Sequence, residues 1–149
     1  MKNRAVLLVE DNQDDIVLMQ RALKENKITN KIVVVEDGES AIDILHGDPG
    51  EGPISSKSLP AVILLDLKLP KMGGLEVLKH IREDETTKLI PVVILTSSSE
   101  EEDLVAGYRL GCNSYIRKPV DFGRFSEVVK RLGMYWLLLN ELPFDNGEG

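Results

Sequence analysis

Cysteine, histidine, aromatic rings and positive charge are all scarce in this chain, and each scarcity excludes something. A single cysteine, Cys112, rules out an internal disulfide and suits a reducing cytoplasm, the compartment expected here. Its Leu110-Gly111-Cys112 setting reads as small buried filler rather than a reactive thiol. The two histidines, His46 and His80, fall in amphipathic helix patterns, and without a Cys/His cluster a zinc site lacks its ligands. Aromatic residues are 5% of the chain, which leaves few stacking platforms, and the formal net charge is −7. Phosphate backbones need a basic face, so nucleic acid is not expected as a partner. No stretch approaches the roughly 18 apolar residues of a membrane span, and no membrane partner is expected. The apolar run after Met1-Lys2-Asn3-Arg4 holds only five residues, too few for a signal-peptide core. Neither G-x-G-x-x-G nor G-x-x-x-x-G-K occurs, so no nucleotide loop is expected.

What is present is an ordinary globular composition, 42% hydrophobic and 29% charged over 149 residues. That length predicts one domain with a sizeable core. The pattern centres on Ala61-Val62-Ile63-Leu64-Leu65-Asp66, an apolar run without polar alternation that ends in a carboxylate. Such a run reads as a strand covered on both faces. Ala5-Val6-Leu7-Leu8-Val9 is a second one and ends in Glu10-Asp11. Lys31–Val35 and Pro91–Leu95 follow the same reading from their β-branched density, and Ser114–Arg117 is a short last strand.

Helical spacing separates these runs. Ile16, Met19, Ala22 and Leu23 mark a helix over 14–26 that Asn12 can cap. Asp37-Gly38 reads as a turn before a short helix carrying Ala41, Ile42 and Leu45. Gly73-Gly74 opens a helix with Leu75, Val77, Leu78 and Ile81. Glu100–Asp103 suit the dipole at a solvated helix start, and Gly111 ends that helix. A final helix from near Asp121 carries Phe125, Val128, Val129 and Leu132. The fourteen residues Gly47–Pro60 have no period of their own and read as a mobile insertion. Five strands alternating with five helices imply right-handed crossovers and a five-stranded parallel sheet with helices on both faces.

In a parallel sheet every strand ends at the same edge, where ligands collect. The residues that arrive there are Glu10, Asp11, Asp66, Thr96 and Lys118. Taken singly, each has an ordinary reading: a helix-entry acid pair, a turn-capping aspartate, a hydroxyl bonding its own turn, a surface lysine. Together, three carboxylates in one crevice repel unless a cation compensates, and an oxygen-only donor set suits hydrated Mg²⁺. A lysine and a hydroxyl opposite them suit phosphoryl oxygens, since phosphoryl transfer needs positioning and charge neutralisation. The set supports formation of an acyl phosphate on an aspartate.

Four motifs in order, Val9-Glu10-Asp11, Asp66 through Gly74 (DLKLPKMGG), Leu95-Thr96-Ser97 and Tyr115-Ile116-Arg117-Lys118-Pro119, resemble the receiver domain of two-component response regulators. The resemblance covers residues 5 to about 132. It implies a flavodoxin-like (βα)5 fold with strand order 2-1-3-4-5. It further implies that Asp66 is the phosphoacceptor for a sensor histidine kinase, and that the chain is a signalling module and not an enzyme. Asp11, Asp66 and the backbone carbonyl of Lys68 would hold Mg²⁺, with Glu10 acting through a metal-bound water. Lys118 would pair with the phosphoryl oxygens, and Thr96 would move to hydrogen-bond them. Tyr115 would be the aromatic switch, and the peptide before Pro119 would be cis. Lys68 and Ser98 would flank the path of an attacking water.

The long loop and the continuation Met134-Tyr135-Trp136-Leu137-Leu138-Leu139 resemble the small regulators that partner bacteriophytochromes, which makes a bacteriophytochrome the candidate kinase. The C-terminal extension is expected over about 133 to 149. Six consecutive apolar residues cover every face of a helix, so part of that surface is expected at a protein interface, as a homodimer, the alternative being a tail folded over its own domain. The competing class is a Mg²⁺-dependent aspartyl-phosphate phosphohydrolase. It would place a second acid at position 68, where this chain has lysine.

Overall fold

The fold, seen in a computed structural model, is described for residues 4–119 and 121–144. Five short strands, β1 (Val6–Val9), β2 (Ile32–Val35), β3 (Val62–Leu65), β4 (Val92–Thr96) and β5 (Ser114–Arg117), form one parallel sheet in the order β2-β1-β3-β4-β5. Between and after them run α1 (Gln13–Glu25), α2 (Gly38–Leu45), α3 (Gly74–Glu83), α4 (Glu101–Leu110) and α5 (Phe122–Gly133). The expected flavodoxin-like (βα)5 architecture is therefore the observed one.

Strand alternation divides the apolar runs between two faces. Val6, Leu8, Val62, Leu64, Val93 and Leu95 face α1 and α5, where Ile16, Met19, Leu23, Phe125 and Val129 complete one core layer. Leu7, Val9, Ile63, Leu65, Val92 and Ile94 face the other way, onto Ala41 and Leu45 of α2 and Val77, Leu78 and Ile81 of α3. The central strands β1, β3 and β4 are buried throughout, whereas β2 and β5 are partly exposed edges. That explains why the central three lack any polar residue before their ends.

Asp37-Gly38 is a helix start, not a turn. The Asp37 carboxylate accepts a hydrogen bond from the Ser40 amide at 2.7 Å, as an N-cap. Asp and Gly serve turns and caps alike, and the spacing to Ala41 did not separate the two. The 47–60 segment is also tied down more than its composition suggests. Ile54 and Ser55 are buried, Ile54 joins the α2/α3 core layer, and Ser55 bridges to Ser58. Ile54, with the partly buried Leu59, anchors a loop whose remaining residues are polar, glycine or proline. No peptide bond among the described residues is cis, so Lys118–Pro119 is trans, the isomer that X–Pro bonds favour by about 0.5–1 kcal/mol.

Past α5 the chain continues as a wider π-helical turn, Met134–Leu139. Leu137 is buried in the α1/α5 core layer with Trp136 and Leu142 beside it, while Met134, Tyr135, Leu138 and Leu139 stay exposed. Phe144 then packs against the opposite layer and lies 5.1 Å from the Arg4 guanidinium carbon. The extension expected to residue 149 is seen to residue 144; its last five residues lie outside the described residues. No helix among the described residues is long and apolar enough to cross a membrane.

Candidate functional site

Register fixes which residues meet. Val9 pairs with Leu65 across β1 and β3, Leu65 with Ile94 across β3 and β4, and Thr96 with Arg117 across β4 and β5. Glu10, Asp66, Thr96 and Lys118 thus leave or end their strands at one edge of the sheet. Backbone bonds hold that edge: the Asp66 amide donates to the Val9 carbonyl at 3.1 Å and the Lys118 amide to the Thr96 carbonyl at 2.8 Å.

Carboxylate oxygens of Glu10, Asp11 and Asp66 all lie within 4.8 Å of one another. Glu10 and Asp66 are buried and Asp11 is exposed, so the cluster has a wet side through which an ion and a phosphodonor can approach. Three hard oxygen donors, no sulfur and no imidazole fit a small divalent cation that keeps part of its water shell. Lys68, whose carbonyl is the fourth ligand the resemblance implies, sits two residues past Asp66 in the exposed start of the following loop.

Asp66 is anchored by its own loop. Its Oδ1 accepts from the Leu67 amide at 2.7 Å, which leaves Oδ2 turned toward Lys118 at 3.4 Å. The loop folds tightly back, because the Gly74 amide donates to the Leu67 carbonyl at 2.9 Å. A β-carbon on Gly74 would run into the Asp66 carbonyl and the Leu67 α-carbon. Glycine is required there for that approach, which is the physical content of the Gly73-Gly74 signal.

The Lys118 ammonium is nearly buried and touches three carboxylates: Glu10 Oε1 at 2.6 Å, Asp15 Oδ2 at 2.7 Å and Asp66 Oδ2 at 3.4 Å. Those contacts raise its pKa above the ordinary lysine value, although burial alone would lower it. Burial pushes the Glu10 carboxyl up to about 7, with the Asp66 charge adding to the rise; hydrogen bonds from Lys118 and the Asn12 amide oppose it. Asp15 was not among the sequence candidates. It reads as a helix-start acid in the first turn of α1, and nothing in its spacing announces a partner 103 residues away.

Thr96 is fully buried, and its Oγ1 accepts from the Ser98 amide at 3.2 Å. The Ser98 hydroxyl in turn donates to Asp103 Oδ2 at 2.6 Å, fixing the β4–α4 loop to the first turn of α4. Tyr115 pairs with Ile94 on β5, and its ring packs against Gly107 of α4. Burial raises the Tyr115 phenol above its ordinary pKa, and the neighbouring Ser98 hydroxyl opposes that only in part.

Residues 6–130 match the model of the response regulator receiver domain, and the chain belongs to that family. Among curated relatives it is similar to the Probable methanogenesis regulatory protein FilR2 of Methanothrix harundinacea. Identity there is 41% over 138 residues, 93% of this chain and 86% of that one. It is also similar to the response regulator Rcp1 of Synechocystis, at 36% identity over 94% of this chain and 93% of that one. Among solved structures, the phosphorylated cyanobacterial phytochrome response regulator RcpA superposes with a TM-score of 0.85 at 40% identity. That match covers 95% of this chain and 99% of RcpA. The Mn²⁺-bound form of Rcp1 superposes at 0.82, with the same shares of the two chains covered.

Proposed function

We propose that this chain works as a phosphorylation-controlled response regulator, built as one receiver unit with a C-terminal extension, that takes a phosphoryl group from a sensor histidine kinase onto Asp66. The observation that carries the reading is the convergence of Glu10, Asp11 and Asp66, oxygens within 4.8 Å, with the Lys118 ammonium beside them. Asp66 Oδ2 is the oxygen not used by the loop amide, and it is the one that attacks. A bond forms between it and phosphorus as the phosphorus–nitrogen bond of the donor phosphohistidine breaks, and that electron pair returns to the imidazole. Lys118 neutralises charge on the transferred group, and the Thr96 hydroxyl hydrogen-bonds it. Glu10, Asp11, Asp66 and the Lys68 carbonyl would hold Mg²⁺, which when bound neutralises the negative charge spread over the phosphoryl oxygens.

The result is a signal and not a released product. Thr96 moving toward the phosphoryl group would open space for Tyr115 to shift, biasing two states that pre-exist. Similarity to the phytochrome response regulator RcpA supports a phytochrome-type kinase as partner, and the single cysteine suits the cytoplasm as compartment. A homodimer through α5 and the tail is supported by the exposed Met134, Tyr135, Leu138 and Leu139. Light scattering tests it: a monomer at high micromolar concentration in both phosphorylation states would refute the dimer.

The test of the main reading is phosphotransfer profiling against histidine kinases of the source organism. Radiolabel leaving a kinase phosphohistidine and appearing on this chain is the expected result. Repeated turnover of a phosphomonoester by the chain alone would instead favour the phosphohydrolase class.

A further inference from the structure

Asp15 has a role that the helix it sits on does not require. It is the third residue of α1, and its amide is capped by Asn12 Oδ1 at 3.0 Å. In a reciprocal capping box the side chain at that position would reach back to the cap residue's amide. Here the Asn12 amide donates to Glu10 Oε2 at 3.1 Å instead, and the Asp15 carboxylate is released from the cap. It spans the crevice to Lys118 Nζ at 2.7 Å, closer than Asp66 at 3.4 Å. Asp14, its neighbour, carries the same charge, is exposed and makes no such contact among the described residues.

A lysine has three donors, and on Lys118 the two shortest contacts go to Glu10 and Asp15. A phosphoryl group on Asp66 must draw Lys118 to itself. A metal at the acid cluster would compete with the lysine for Glu10, whereas Asp15 has no part in that cluster. We propose that Asp15 is a positioning residue that competes with the phosphoryl group for Lys118, and so limits how strongly the site holds the phosphorylated form. The inference rests on Asp66 being the acceptor, and deepens that reading.

The experiment measures the affinity of the full chain for beryllium fluoride, a phosphoryl mimic, with saturating Mg²⁺, and the ¹⁵N resonance of the Lys118 ammonium. Asp15→Asn removes the charge that competes for Lys118 and leaves only a neutral amide oxygen, and its affinity is expected to tighten on the order of tenfold, as for loss of one competing charge-assisted interaction. Asp15→Ala moves it the same way. Asp14→Asn makes the same change in net charge and is expected to alter affinity less than about twofold, as surface charges do. The Lys118 resonance shifts in Asp15→Asn and stays in place in Asp14→Asn. Equal effects of the two asparagine variants, a weaker affinity in Asp15→Asn, or an unmoved Lys118 resonance would each overturn the competition. Failure of the unaltered protein to bind the mimic at all would overturn the acceptor reading and this inference with it.

Discussion

The Lys118 ammonium lies 2.6 Å from Glu10 Oε1 and 3.4 Å from Asp66 Oδ2, so the lysine rests more closely on Glu10 than on Asp66. Two carboxylates and an ammonium buried this closely cannot be treated as independent groups. Loading the site with a cation or a phosphoryl group must redistribute the lysine.

Glu10 makes that coupling measurable through pH. Burial raises its carboxyl to about 7, so near neutrality it holds a proton for part of the time, and a metal needs it ionised. Mg²⁺ affinity is therefore expected to rise as pH climbs through about 7 and to level off above. Calorimetry in buffers of different ionisation enthalpy should show proton release below that value, and Glu10→Gln should remove it. The stability effect has the opposite sense. A carboxyl raised above its ordinary 4.5 favours the fold below that pH, and this contribution is lost as pH rises toward about 7. An Mg²⁺ affinity independent of pH over this window would contradict the coupling.

Stability should move in opposite directions when the two ends of the Lys118–Asp66 contact are changed. Lys118→Met leaves Glu10, Asp15 and Asp66 facing one another without a cation and should cost about 3–5 kcal/mol without metal. Asp66→Asn removes one of the repelling charges and should stabilise by about 1–2 kcal/mol under the same conditions, the usual sign where a site is built for function over stability. Urea denaturation with and without Mg²⁺ reads both, and Mg²⁺ should shrink the Lys118→Met deficit.

The Tyr115 ring depends on the absence of a side chain at Gly107. A β-carbon there would stand 2.9 Å from Ile94 Cδ1 and 3.2 Å from Tyr115 Cδ2, so a branched side chain at this position crowds the ring. Gly107→Val is expected to expel the ring toward solvent. Because burial holds the phenol above its ordinary pKa, Tyr115 should then titrate lower, which ultraviolet difference spectroscopy follows against a Tyr115→Phe reference. Unchanged titration would mean the ring has another place to pack.

Much of this arrangement is legible in the sequence because buried parallel strands leave no room for polar residues until they end. Val9-Glu10, Leu65-Asp66 and Leu95-Thr96 each mark that transition, and the topology brings the three ends together without further information. Lys118 follows the edge strand β5, whose alternation is weaker, and the sequence placed it at the site only through its neighbours' convergence. What stayed hidden lacks a local signature. Asp15 looks like any first-turn acid, since its partner Lys118 lies 103 residues away in the chain. Ile54 is an isolated apolar residue between polar neighbours and proline, and Asp37-Gly38 serves a turn or a cap equally well. The tail's split between buried Leu137 and exposed Leu138 and Leu139 also depends on where the π-helical turn directs each side chain.

Asp66 as the phosphoryl acceptor is open to a direct test. Incubating the unaltered chain and Asp66→Asn with acetyl phosphate and Mg²⁺, followed by intact-mass measurement, tests it most directly. One added phosphoryl group is expected on the unaltered chain, removed by hydroxylamine as an acyl phosphate is, and none on Asp66→Asn or when the metal is chelated. A stable phosphoryl group on Asp66→Asn would contradict it.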